Sequence, residues 1–141
     1  MAISVLIVDD HALLRKLLRC HLASQNDIVV VGEAKDGPEG IAKAEELQPD
    51  VILMDVAMPG MDGMEATRFI CERLPQVKVL ILTLYLSTEN CTRAIQSGAM
   101  GYVLKDSVDD EVVVAIRTIM NGVHYFGAEV IPPLECLVSM S

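Results

Sequence analysis

Short apolar runs rich in Val and Ile alternate along this chain with longer stretches of helical spacing. The runs fall at residues 4–8, 28–32, 51–54, 77–82 and 101–104. After the first run, Leu14, Leu17, Leu18 and Leu22 recur on one helix face, with Arg15, Lys16 and Arg19 on another. Ile41, Ala44 and Leu47 make a weaker stripe behind Gly37-Pro38. Met64, Thr67, Phe69 and Ile70 predict a third helix, and Cys91, Ala94 and Ile95 a fourth. Val112, Val113, Ile116, Ile119 and Met120 predict a fifth. The order is therefore βαβαβαβαβα. Strands apolar on both faces and joined by helices argue for a parallel sheet covered on both sides, a doubly wound α/β fold. Ser107 stands three residues before Asp110, as in a capping box. Gly98 and Gly122 sit where helices end in the left-handed conformation.

The chain has 141 residues, the size of one domain. There is no internal repeat. From Gly127 onward the character changes. Pro132-Pro133 blocks regular structure, so residues 128–141 read as a linker fragment or tail after a domain spanning 1–127. Twenty acidic residues against eleven basic ones leave a net charge of −9, which argues against a direct grip on nucleic acid by these residues. The chain lacks an apolar run of about 18 residues, so no membrane span is expected. The N-terminus lacks a basic region and runs from Ile3 into Asp9-Asp10, which reads as a strand rather than a signal peptide. Cys20, Cys71, Cys91 and Cys136 are widely spaced, suggesting thiols in a reducing compartment, the cytoplasm.

In a parallel α/β sheet, functional groups collect at the carboxyl ends of the strands. Here the first strand ends in Asp9-Asp10, the third in Asp55, the fourth in Thr83 and the fifth in Lys105. Any one of these is ordinary at a strand end; together they converge on one edge. Crowded carboxylates repel unless a cation lies between them. Carboxylates, a carbonyl and water are the ligands of Mg²⁺. With a lysine beside them, they suit a phosphoryl group, whose transfer depends on positioning and charge neutralisation. A carboxylate oxygen is itself a competent nucleophile.

The segments Val5-Leu-Ile-Val-Asp-Asp-His11, Asp50-Val-Ile-Leu-Met-Asp-Val-Ala-Met-Pro-Gly-Met-Asp-Gly63, Val79-Leu-Ile-Leu-Thr83 and Gly98-Ala-Met-Gly-Tyr-Val-Leu-Lys105 carry a resemblance. They are similar to the receiver domain of bacterial two-component response regulators, within the NarL/FixJ (LuxR-type) class. The resemblance implies a five-stranded flavodoxin-like sheet of order 2-1-3-4-5. It implies Asp55 as phosphoacceptor and Asp10, Asp9, Asp55 and the Ala57 carbonyl around Mg²⁺. Lys105 would pair with phosphoryl oxygens, and Thr83 and Tyr102 would form the switch. The implied partner is a sensor histidine kinase, with a homodimer on activation. DNA would be reached only through a C-terminal domain outside this chain. Such a domain is not a classical enzyme: it catalyses its own phosphorylation and slow dephosphorylation. A stand-alone receiver, acting by protein contact or as a phosphate sink, is the alternative.

Several positions depart from the common pattern. Ala57 is small and apolar where many receivers are polar, and Leu84 and Tyr85 are bulky beside the site. Asp106 replaces a frequent proline, and a non-proline cis bond there costs several kcal/mol. Met58, Met61 and Met64 read as loop packing, Gly60 and Gly63 as turn residues, and Asp62 as a turn residue rather than an ion ligand. His11 fits equally a titrating neighbour of the acidic pair and an exposed helix start. Two other classes fit less well. A haloacid-type phosphatase would need a second acid where Ala57 stands. A flavodoxin-like cofactor binder would place a phosphate against Asp9-Asp10.

Overall fold

The computed structural model describes residues 2–84 and 87–127. The elements follow the expected alternation: β1 (Ile3–Val8), α1 (Ala12–Ala23), β2 (Ile28–Ala34), α2 (Gly37–Leu47) and β3 (Val51–Asp55). Then come α3 (Gly63–Arg73), β4 (Lys78–Thr83), α4 (Thr88–Gln96), β5 (Gly101–Leu104), a 3-10 turn (Lys105–Ser107) and α5 (Val108–Met120). The sheet is parallel, and its first five strands lie in the order β2-β1-β3-β4-β5. A sixth strand, β6 (Tyr125–Phe126), extends it beyond β5, which corrects the expected five. Two residues are too few to show a period, so the pattern could not reveal it. The Tyr125 hydroxyl donates to Glu111 Oε1 at 2.8 Å, tying β6 to α5.

Alternation along the strands divides the core in two. Leu6, Val8, Ile52, Met54, Ile81 and Tyr102 face α2, α3 and α4. Val5, Ile7, Leu53, Leu80, Leu82 and Val103 face α1 and α5. Both faces are covered, and every residue of β3 is buried, as its continuous apolar run requires.

The helix stripes hold with three exceptions, one of them Leu47 at the end of α2, which is 38% exposed. Leu18 and Leu22 are buried in α1, whereas Leu17 is 57% exposed. At about 100° per residue, Leu17 lies roughly 120° from the centre of the Leu18–Leu22 face. Phe69 stands outward on α3, with the Arg73 guanidinium 4.1 Å over its ring. The expected capping box is also corrected. Ser107 precedes α5, but its side chain makes no capping bond, since the preceding 3-10 turn leaves it without extended backbone. The side chain of Asp110 lies outside the described residues. Gly98 and Gly122 do take positive φ, at 101° and 81°.

Candidate functional site

β1 and β3 are neighbours, so their carboxyl ends bring Asp9, Asp10 and Asp55 to one edge. Asp9 and Asp55 are buried, while Asp10 keeps 28% of its side chain exposed. Lys105, just past β5, reaches back across the edge. Its Nζ lies 2.9 Å from Asp9 Oδ2 and 2.9 Å from Asp55 Oδ1. Asp55 Oδ1 also accepts the Ala57 N–H at 3.2 Å. Asp9 Oδ2 is held by the Lys105 ammonium and Asp10 Oδ1 lies against the His11 ring, whereas the buried Asp55 Oδ2 has no hydrogen-bond partner among the described residues.

The electrostatics follow from burial. Desolvation pushes the Asp55 carboxyl up to about 6, with repulsion from Asp9 adding and the bond to Lys105 opposing. Burial pulls Lys105 down, but bonds to Asp55 and Asp9 outweigh it and raise the ammonium above its ordinary value. The ammonium therefore stays charged, and Asp55 holds its proton more tightly than an exposed carboxyl.

His11 belongs to the same cluster. Its Nδ1 lies 3.0 Å from Asp9 Oδ1 and 3.2 Å from Asp10 Oδ1, although the side chain is 61% exposed. The two sequence readings of His11 thus combine: it starts α1, is exposed, and touches the acidic pair. Asp9, Asp10, His11 and Asp55 each present one ligand atom, and these atoms all lie within 4.8 Å of one another. The donor set therefore fits a divalent cation, and the orphaned Asp55 Oδ2 gives it a buried partner to neutralise.

Thr83 is buried at the end of β4, one residue past the register partner of Asp55. Its side chain is hydrogen-bonded with Tyr102, which also bonds Asn90. The Tyr102 ring is buried and turned inward, and burial raises its phenol above the ordinary value despite these bonds. Leu84 is half exposed and lines an open groove of about 360 Å³ with Lys105, His11 and Leu13. Tyr85 lies outside the described residues, as does the tail 128–141. No cis peptide occurs among the described residues, so Asp106 follows a trans bond.

Three parts of the site escaped the pattern. Arg15 donates to the Asp9 carbonyl at 2.6 Å while pairing with Glu33 at 3.1 Å, so it braces the end of β1 instead of facing solvent. Its place one turn after His11 is the available signal, because helical side chains lean toward the N-terminus. Gly60 takes φ +80° as a turn glycine, but Gly63 serves close approach: a Cβ there would stand 1.9 Å from the Asp55 carbonyl oxygen. Asp62 caps α3, accepting from the Met64 and Glu65 N–H groups at 2.9 Å, and pairs with Arg93 of α4 at 3.1 Å. Met58 and Met64 are buried in the core and Met61 packs against it, as loop packing demands.

Among the described residues, no helix is long and apolar enough to cross a membrane. A family model described as the response regulator receiver domain matches residues 5–117. The chain is 45% identical over 131 residues to response regulator protein VraR of Staphylococcus saprophyticus, covering 93% of this chain. It spans 63% of that relative's length. VraR of Staphylococcus aureus matches to the same extent. A two-component response regulator of the LuxR family from Aurantimonas superposes with a TM-score of 0.88 at 32% identity, covering 92% of this chain and 93% of that one. The receiver domain of a NarL regulator from Mycobacterium tuberculosis gives 0.82 at 33%, covering 86% and 98%. With an acidic cluster and lysine network suited to aspartate phosphorylation signalling, and these relatives beside it, the chain belongs to the receiver domains of bacterial two-component response regulators, in the NarL/LuxR class.

Proposed function

We propose that Asp55 accepts a phosphoryl group from the phosphohistidine of a sensor histidine kinase. The observation that carries this reading is the asymmetry of its carboxylate. Oδ1 is held by Lys105 and the Ala57 N–H, while Oδ2 has no hydrogen-bond partner. Oδ2 is the nucleophile: it attacks phosphorus, a P–O bond forms, and the P–N bond to the donor imidazole breaks with its electron pair. The imidazole then leaves and takes up a proton. Asp9, Asp10, Asp55 and the Ala57 carbonyl would hold Mg²⁺, which supplies neutralising charge for phosphoryl transfer.

Lys105 would pair with the phosphoryl oxygens, a role supported by its bond to the acceptor carboxylate. Thr83 would turn its hydroxyl to the phosphoryl group, and Tyr102, bonded to it, would hold the inward position. The resulting shift of α4, β5 and α5 is a population change between two arrangements, not a new fold. We read the output as transcriptional and cytoplasmic, delivered through sequence of the longer regulator and accompanied by dimerisation. Residues 1–127 are the receiver in this reading, and 128–141 lead toward the output part.

The test combines Mg²⁺ with acetyl phosphate or beryllofluoride and reads intact mass or amide chemical shifts. One phosphoryl group is expected on the wild type and none on Asp55→Asn. Full labelling of the variant would remove Asp55 as the acceptor. No response of the wild type to donor, mimic or kinase would remove the function.

A further inference from the structure

Arg15 brings a positive charge to the back of the acidic edge. Its Nη1 donates to the Asp9 carbonyl at 2.6 Å, while its Nε donates to Glu33 Oε1 at 3.1 Å. The side chain keeps only 18% of its surface exposed. Glu33 lies on β2 in register with Ile7 of β1, two residues before Asp9, and its other oxygen accepts Arg19 Nη1 at 2.9 Å. The guanidinium is therefore aimed from two sides, with β2 supplying the carboxylate and β1 the carbonyl. Its planar fork can bond both acceptors at once, which a lysine ammonium on its flexible stem does poorly.

Charge gives no reason for this arrangement. Glu33 offsets part of the Arg15 charge, and whatever remains repels a cation at the edge. Geometry does give one. The other polar groups of Asp9 are already fixed. Its N–H donates to the Ala34 carbonyl at 3.0 Å, its Oδ1 accepts the His11 N–H at 2.8 Å, and its Oδ2 meets Lys105 at 2.9 Å. Asp10 is held far less. Among the described residues its carboxylate pairs only with the exposed His11 ring, at 3.2 Å. Its direction is set chiefly by the backbone that carries it. That backbone is the Asp9–Asp10 peptide, whose oxygen is the atom that Arg15 holds.

We propose that Arg15, aimed by Glu33, is a positioning residue for the Mg²⁺ site: it fixes the Asp9–Asp10 peptide and through it the Asp10 carboxylate. The inference rests on the reading that this edge holds Mg²⁺. It makes a prediction opposite in sign to that of charge. Removing a nearby positive charge should tighten cation binding, whereas removing a support of the ligand should loosen it.

The test follows amide chemical shifts of the unphosphorylated protein as Mg²⁺ is added, with thermal melts of each variant beside it. Arg15→Met should weaken Mg²⁺ binding by about tenfold, the usual effect of losing a group that orients a metal ligand. It should also move the Asp10 ¹⁵N resonance before any Mg²⁺ is present, because the peptide has lost its hydrogen bond. Arg15→Lys keeps the charge and should weaken binding less; it is the variant to read if Arg15→Met does not fold. Arg19→Met removes a like charge from the same glutamate but no bond to Asp9, and should not weaken binding. Glu33→Ala should weaken it in the wild-type background and add little to Arg15→Met. Unchanged or tighter Mg²⁺ binding in both Arg15 variants, or an equal loss in Arg19→Met, would overturn the proposal. Equal effects of Glu33→Ala in the two backgrounds would overturn the part given to Glu33. Labelling of wild-type Asp55 by acetyl phosphate is measured alongside. Its failure despite Mg²⁺ binding would remove the function and leave the positioning standing; failure of the wild type to bind Mg²⁺ would remove both.

Discussion

Lys105 bridges Asp9 and Asp55: its Nζ stands 2.9 Å from a carboxylate oxygen of each. The lysine comes from the end of β5 and the acids from β1 and β3, so one ammonium ties together three strands. It is only 7% exposed, and both acids are buried. Removing one charge from such a group leaves the others uncompensated. Lys105→Met should destabilise the metal-free protein by about 3–5 kcal/mol. Mg²⁺ should recover part of that loss, because it replaces the missing positive charge. Thermal melts with chelator and with Mg²⁺ decide it; a loss that Mg²⁺ leaves untouched would mean that packing, not charge, is what Lys105 provides.

Asp55 predicts a pH dependence. Its folded-state value is raised to about 6 from an ordinary 3.8, chiefly by desolvation. Between those values the folded protein binds more protons than the unfolded one. Stability therefore falls as pH rises through this window. Asp55→Asn removes that fall and should raise stability at neutral pH by about 1–3 kcal/mol in chelator. Melts from pH 4.5 to 7.5 test this, and identical slopes for wild type and variant would refute it.

Gly63 cannot carry a side chain without moving the backbone of the acceptor. Its added Cβ would meet the Asp55 carbonyl oxygen at 1.9 Å and the Val56 Cα at 3.0 Å. Neither atom can rotate away. Gly63→Ala should cost about 2–3 kcal/mol and weaken Mg²⁺ binding, because the end of β3 must shift. Gly60→Ala meets nothing within 4 Å and bears only its positive φ, so it should cost less and spare Mg²⁺ affinity. Equal effects of the two on Mg²⁺ would contradict the distinction.

Asp62→Ala should lower stability by about 1–2 kcal/mol, the usual cost of a lost helix cap. Burial opposes its ionisation, but bonds from Glu65 N–H and Arg93 outweigh this and hold its carboxyl below the ordinary range. The contribution is present above the unfolded value and is lost as pH falls through the lower folded value. Asp62→Asn, which keeps the capping oxygen but not the charge, should retain most of the stability. Mg²⁺ affinity should barely move in either variant; a large loss would place Asp62 at the ion.

The five βα repeats and the two covered faces were legible because strands apolar on both faces lie between two layers, whereas the sheet order came only from the resemblance. The edge residues were legible for a related reason: polar groups directly after such runs must emerge together at the carboxyl ends. Leu17 and Phe69 misled because a helix face has a finite width, and residues at its margin are settled by neighbours that spacing does not show. Ser107 misled because a capping motif needs extended backbone, which the 3-10 turn removes.

The amino-acid sequence by itself determined which side chains reach the functional edge, since period and strand ends are local properties of the chain. Only the tertiary structure decided how they meet there. Lys105 spanning two acids, Arg15 bracing the Asp9 carbonyl, Gly63 pressed against Asp55 and β6 beside β5 all join residues far apart or across element boundaries. Even for His11, next to the acids in sequence, only the structure shows its ring folded back onto them. Distances of this kind depend on how layers pack, and no periodicity encodes them.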